Sequence, residues 1–275
     1  MKVERIAAFA DGKLGGNPAG VVICDTLPDA AAMQAVAREV GYSETVFAAP
    51  SGEGWRVRYF APEAEVDFCG HATIALGAAL AMRCGDGTFP LQLNNASITV
   101  EGSRANSAIS AALQSPPTSS KPASDRLVAD ALALFSLTPA DLDERIPPAM
   151  ANAGANHLVL ALKSRERLST MHYDLDAGRK LATAESIVTF SLVHAETSQR
   201  FHARNPFPFG GVYEDPATGA AAAALAGYLR DLGWPHNGAI EIVQGEDMGV
   251  PSRLHAQIPA APGASIRVSG MARVM

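Results

Sequence analysis

The chain has little cysteine, little aromatic content and no clustered charge, and each shortage excludes a class of protein. Three cysteines in 275 residues (Cys24, Cys69 and Cys84) are odd in number and widely spaced. They cannot make a disulfide framework, and a reducing, cytoplasmic setting is expected. There is no Cys-x-x-Cys and no His-x-x-x-His pair, so no metal is assigned. Net charge is −6 without a basic run, so neither nucleic acid nor an anionic membrane surface is expected as a partner. No apolar run reaches spanning length, and Met1 to Asp11 is charged, so no secretory leader is expected. No Gly-x-Gly-x-x-Gly, no Walker-type lysine and no serine nucleophile elbow occurs. What these absences leave is a cofactor-free acid–base enzyme.

What the chain has in quantity is alanine at two places. Glu214-Asp215-Pro216-Ala217-Thr218-Gly219 leads into Ala220–Tyr228, a run with no polar face. A helix that is apolar all round is a buried one. Asp215 as its cap and Pro216 at its first position suit the start. Its free N–H groups and positive dipole end form a natural anion site. Phe68-Cys69-Gly70-His71-Ala72-Thr73 leads in the same way into the apolar stretch from Ile74 to Met82. Sliding the sequence by 146 sets Arg58 on Arg204, Val66 on Val212, Cys69 on Asp215 and Ala75 on Ala221. A period of half the chain predicts two similar domains rather than a solenoid. We place them at 1–118 and 119–275, with the last strand, 265–275, free to return to the first. Ser115 to Pro122 is the linker by composition.

Between these helices the pattern is mostly strand. Alternating or β-branched runs predict strands at 2–9, 21–24, 45–49, 55–60, 91–93, 97–101 and 108–114. In the second half they fall at 158–162, 187–194, 199–203, 240–243, 254–258 and 265–268. Helical spacing predicts surface helices from Asp29 to Val40, stopped by Gly41, and from Ser124 to Phe135. The class is therefore α+β: two similar domains, each mostly strand with one buried apolar helix and one surface helix.

Four residues stand out chemically. Glu44 follows Ser43 at the head of an apolar strand; a slide of 143 sets Ser186 on Ser43 and puts Ile187 where Glu44 stands. A carboxyl group among apolar side chains suits proton transfer near neutral pH. A solvated strand-end glutamate is the plain alternative. His71 lies in the first turn of the first buried helix, where it can exchange a proton with a substrate or simply be satisfied by the backbone. Asp215 occupies the matching loop, as a site carboxylate or a plain cap. Cys69 sits at the equivalent repeat position, where a thiol is either activated by the helix end or merely small and buried.

Five stretches together resemble the PhzF-like phenazine-biosynthesis family: Gly16-Asn17-Pro18-Ala19-Gly20-Val21-Val22, Ser43-Glu44-Thr45-Val46-Phe47, Glu65 to Thr73, Glu214 to Gly219, and Gln244-Gly245 through Pro251-Ser252. They span nearly the whole chain in family order. The resemblance implies a diaminopimelate-epimerase fold, two pseudo-symmetric domains that are each a curved, mostly antiparallel sheet around a central apolar helix, with the site in the cleft between the domains; it also implies a cofactor-independent isomerase and a homodimer. The activity characterised in the family isomerises trans-2,3-dihydro-3-hydroxyanthranilate. Carried over by motif, Glu44, His71 and Asp215 are catalytic, with Glu44 shuttling the proton. Asn17, Ser43, Cys69, Gly70, Ala72, Thr218, Gly219 and Ala220 bind a small anionic substrate. Ala220 stands where the family has serine, and Val250 where arginine is frequent. An epimerase or racemase of an amino or hydroxy acid is the rival within the class, and a non-catalytic small-molecule binder the rival outside it. The epimerases of this fold use a cysteine from each half; with Asp215 opposite Cys69, a two-thiol racemase is not expected.

Overall fold

The computed structural model describes residues 1–106 and 108–275. Its close contacts divide the chain into two units, Met1–Gln114 with Ser269–Met275, and Ser115–Val268. The first unit runs β1 (Glu4–Ala10), β2 (Asn17–Ile23), α1 (Ala30–Val40), β3 (Thr45–Ser51), β4 (Gly54–Phe60), β5 (Glu65–Val66), α2 (Gly70–Cys84), β6 (Gly87–Gln92), β7 (Ser97–Ala105) and β8 (Ala108–Gln114). The second runs β9 (Ser119–Pro122), α3 (Asp125–Leu134), β10 (Ala149–Asn152), β11 (Asn156–Ala161), α4 (Arg165–Ser169), α5 (Leu175–Ala184), β12 (Thr189–Ala195), β13 (Arg200–Phe207), β14 (Val212–Asp215), α6 (Gly219–Leu232), β15 (Ala239–Gln244) and β16 (Ser252–Gln257). The last strand, β17 (Arg267–Val274), pairs antiparallel with β1, with Ile6 opposite Val274 and Ala8 opposite Ala272. No described helix is long and apolar enough to cross a membrane.

Two units of one design follow from the pairings. In the first, β1–β2 is antiparallel, β2–β3 parallel, β3–β4 antiparallel, β4–β6 parallel and β6–β7 antiparallel, with β5 hanging off β4. In the second, β10–β11, β11–β12, β12–β13, β13–β15 and β15–β16 repeat that alternation in order, with β14 hanging off β13. In the first unit β17 pairs with both β1 and β8, closing the strands into a ring.

The small-residue helices fill the middle of each sheet. Helix α2 packs against β1, β2, β3, β6, β7 and β8, and every residue from His71 to Ala81 is buried. Helix α6 packs against β9, β10, β11, β12, β15 and β16, and is buried from Ala221 to Leu229. Glycine and alanine let the sheet curl close. A Cβ built on Gly102 of β7 would lie 2.2 Å from the Gly77 carbonyl oxygen of α2, and one on Gly227 would lie 2.6 Å from Thr118. Larger side chains supply the apolar area: Ile74, Leu76 and Leu80 are fully enclosed, each contributing about 1.5–3 kcal/mol.

The surface helices follow their capping signals. Asp29 accepts from Ala32 N (2.8 Å) and Gly41 takes the left-handed C-terminal position at φ 70°; Ser124 accepts from Leu127 N. Two local expectations are corrected. The stretch from Ser115 to Pro122 is not a plain linker, because Ser119–Pro122 forms β9 against β10, with Pro122 at its end where a missing N–H is tolerated. Pro216 is not the first residue of α6, and Asp215 is not its cap: the helix begins at Gly219 after Thr218, and Asp215 ends β14. Gln244 makes the difference. Its Nε2 donates to the Asp215 carbonyl (2.6 Å) and its Oε1 accepts from Thr218 N (3.1 Å), holding the intervening residues as a turn.

Candidate active site

Sequence order alone brings Cys69 and His71 together, because they flank the first residue of α2. The end of α1 and the start of β3 then deliver Ser43 and Glu44 to the same place. His71 is the centre. Its Nε2 lies 3.4 Å from Glu44 Oε2 and 3.4 Å from Ser43 Oγ, and its Nδ1 lies 3.3 Å from Cys69 Sγ. His71 and Cys69 are buried, and the Glu44 side chain retains 17% of its surface. Glu44 Oε2 is itself buried and makes no hydrogen bond. A buried carboxylate oxygen without a hydrogen-bond partner is uncommon and calls for a reason, of which a catalytic role is one.

The framework under this cluster is rigid. Thr73 Oγ1 donates to the Cys69 carbonyl (2.7 Å) and meets Tyr59 Oη (2.7 Å). Burial pushes the Tyr59 phenol well above its ordinary range, so it stays neutral and acts as a hydrogen-bonding strut. Arg58 grips Glu65 with two N–H groups (2.7 and 2.5 Å), and this pairing, ahead of desolvation, holds the Glu65 carboxyl below the usual carboxylate range. Asn17 is buried at the start of β2, Ala72 is fully buried, and Gly70 is half-buried.

The second unit places the matching residues in the matching loop. Asp215 Oδ2 accepts from Thr218 Oγ1 at 2.5 Å, and Gln244 Nε2 donates to the same hydroxyl at 3.0 Å. Thr218, Gly219 and Ala220 are half-buried at the start of α6. Arg204 on β13 holds Glu214 on β14 through two N–H groups and also reaches the Ser169 and Met171 carbonyls. The counterpart of Glu44 is different in kind: Ile187 is fully buried in the apolar core of its unit.

Both central helices share an open start. The surface helices α1, α3, α4 and α5 each receive a side-chain cap, from Asp29, Ser124, Ser164 and Asp174. Neither Cys69 at α2 nor Thr218 at α6 makes one. Reading the sequence missed Gln244 as the organiser of the Asp215–Thr218 turn, and missed the two Arg–Glu grips. The alignment of Arg58 on Arg204 in the 146-residue repeat was the available signal for the grips. Among the described residues, Glu44, Cys69 and His71 also form a group with metal-ligand spacing, which no sequence motif marked.

The comparisons agree with this architecture. The profile of the family described as phenazine biosynthesis-like protein matches residues 6–275. The chain is 35% identical to the trans-2,3-dihydro-3-hydroxyanthranilate isomerase of Pseudomonas aeruginosa over 283 residues, covering 97% of this chain and 92% of that one. The crystal structure of a PhzF-family phenazine biosynthesis protein from Bacillus anthracis superposes with a TM-score of 0.85 at 21% identity, covering 100% of this chain and 98% of that one. A probable proline racemase from Agrobacterium radiobacter shares the fold, with a TM-score of 0.66 at 8% identity over 99% of this chain and 90% of that one.

Proposed function

The chain belongs to the phenazine biosynthesis-like (PhzC-PhzF) family and is an isomerase, and from that premise we propose that it moves a proton within a small carboxylate-bearing substrate, with Glu44 as the acid/base. The observation that carries this is the Glu44 carboxylate, buried at Oε2, without a hydrogen bond, and 3.4 Å from His71 Nε2. A carboxylate takes the proton from carbon and returns it at a second carbon. His71 holds the carboxyl in place and offers a second stop for the proton. Ser43 Oγ stands 3.4 Å from the same ring nitrogen, Nε2, and Cys69 holds the imidazole from its Nδ1 side. The open start of α2 supports binding of a substrate anion, since its first N–H groups have no side-chain cap. The substrate of the Pseudomonas relative, a cyclic amino carboxylate, is the first compound to try.

The test is Glu44→Gln, which keeps the shape and removes the proton acceptor. General acid–base groups are worth about 10²–10⁴ in rate, so turnover and solvent-deuterium entry into product should fall by about that factor while KM changes little. Cys69 contacts His71 and has Asp215, not a second thiol, at the matching repeat position, so Cys69→Ala should lose much less. Near-normal deuterium entry with Glu44→Gln, and its loss with Cys69→Ala, would transfer the chemistry to the thiol.

A further inference from the structure

The imidazole of His71 lies between two unlike groups. Cys69 Sγ faces Nδ1, at 3.3 Å against 4.0 Å to Nε2, while Glu44 Oε2 faces Nε2 at 3.4 Å. Thiol, ring and carboxylate therefore form a line rather than a cage around one point, and they do not converge on a cation. A neutral imidazole carries one N–H and one bare nitrogen, and which is which follows from the partners at its two ends. An ionised carboxylate can only accept a hydrogen bond, whereas a thiol can donate one.

One of the two tautomers satisfies the whole line. With the proton on Nε2, the ring donates towards Glu44, and the bare Nδ1 accepts from the Cys69 S–H. Ser43 Oγ, 3.4 Å from the same Nε2, can share that N–H as a second acceptor. With the proton on Nδ1, the lone pairs of Nε2 and of Glu44 Oε2 face each other at 3.4 Å, and that buried oxygen, which has no hydrogen bond, gains nothing from the ring. A hydrogen bond to a charged acceptor is about twice as strong as one between neutral groups, so the Nε2–H form is the favoured one. The sulfur is fixed where it can enforce the choice. The thiol makes no cap on α2. The Cys69 carbonyl accepts from Thr73 Oγ1 (2.7 Å), which Tyr59 Oη meets in turn (2.7 Å).

We propose that Cys69 is a positioning residue: its thiol donates to His71 Nδ1 and so keeps the ring's proton on Nε2, facing Glu44. It acts through His71 and exchanges no proton with the substrate. Its effect on turnover rests on the acid–base role of Glu44 proposed above; the tautomer does not, and is read without turnover, so the two fail separately. The whole protein is labelled with the heavy nitrogen isotope at histidine, and the ring nitrogens are recorded by NMR at about pH 8, above the ordinary histidine range. His71→Gln identifies the His71 signals by their loss. A protonated Nε2 and a bare Nδ1 are expected. Cys69→Ser still has a donor and should keep that pattern. Cys69→Ala has none, and a share of the rings should move their proton to Nδ1. A net hydrogen bond is worth about two- to tenfold in rate. The kcat for trans-2,3-dihydro-3-hydroxyanthranilate should fall by about that factor in Cys69→Ala, and by less in Cys69→Ser, with KM little changed. A proton on Nδ1 in the unaltered protein, or the same ring pattern in Cys69→Ala as in the unaltered protein, would overturn the assignment.

Discussion

Lowering the pH should unload the stability of the second unit through one histidine. His157 on β11 is fully buried, and its Nδ1 lies 2.8 Å from Thr189 Oγ1 on β12. That hydroxyl spends its own proton on Asn205 Oδ1 of β13 (3.3 Å), so it can only accept from the imidazole. The ring is thereby fixed as the Nδ1–H tautomer, and Nε2 faces surroundings that offer no partner. A proton added there would bury an N–H⁺ without an acceptor. Burial alone accordingly pushes the His157 pKa from 6.5 down to about 4. Because the folded value is the lower one, the unfolded chain takes up the proton first. The contribution to stability is complete above pH 6.5, declines as pH falls from 6.5 towards 4, and is level below. At 1.36 kcal/mol for each pH unit the full loss is about 3 kcal/mol, and roughly 2 kcal/mol is gone by pH 5. Against a total stability of about 5–15 kcal/mol that is a large share. His236, lowered by burial and by Arg230, acts in the same direction. Urea denaturation between pH 7.5 and 5 measures the slope, and His157→Met, of similar bulk, isolates this residue's part. A native His157 ring resonance that titrates near pH 6.5, or an unchanged slope in His157→Met, would refute the reasoning.

The repeated Arg–Glu grip should differ in worth between the two units. Glu214→Gln leaves the buried Arg204 short of its counter-charge and should cost about 3–5 kcal/mol, whereas Arg58→Ala, whose pair is about a quarter exposed, should cost no more than about 1 kcal/mol; chemical denaturation of both variants reads the difference. Gly102→Ala forces a methyl group to within 2.2 Å of the Gly77 oxygen and 2.9 Å of Ala81 Cβ. It should destabilise by about 1–3 kcal/mol or more, seen calorimetrically as a fall of about 2–4 °C in Tm for each kcal/mol.

The parts of the fold that the sequence disclosed were those with a local cause. The two central helices were legible because Ile74–Met82 and Ala220–Tyr228 have no polar face, and only burial accommodates that. Helix α1 was legible through Asp29 and Gly41, each of which carries the cap it signals, and α3 through its helical spacing from Ser124, which turns out to be the cap. The strand pairings were not, since parallel neighbours such as β2 and β3 are fixed by contacts across α1 rather than by any one residue. Strand β9 was hidden by its composition: serines and a proline read as linker until β10 supplies the ladder. At the site, Glu44 and His71 were found as separate oddities, a carboxylate ahead of an apolar strand and an imidazole at a helix start. Their 3.4 Å contact depends on where the α1–β3 connection lands, which no spacing encodes. Gln244 stood out only as part of a family stretch; its role, bridging two backbone groups 26 and 29 residues away, is one that no local pattern encodes.

The ring of strands around α2 has a consequence for the order in which the molecule is made. Its closing member, β17, pairs with β1 and β8, and Met275 N donates to the Arg5 carbonyl (2.9 Å). Residues 269–275 leave the ribosome after the whole of Ser115–Val268. Domains generally fold in sequence as they are synthesised, the N-terminal one first. Here the later-made unit is contiguous and can mature while the earlier-made one still waits with the β17-facing edges of β1 and β8 open. An exposed strand edge is a place where chains stick to one another. The nascent first unit must therefore keep two such edges from straying for the time it takes to translate everything that follows.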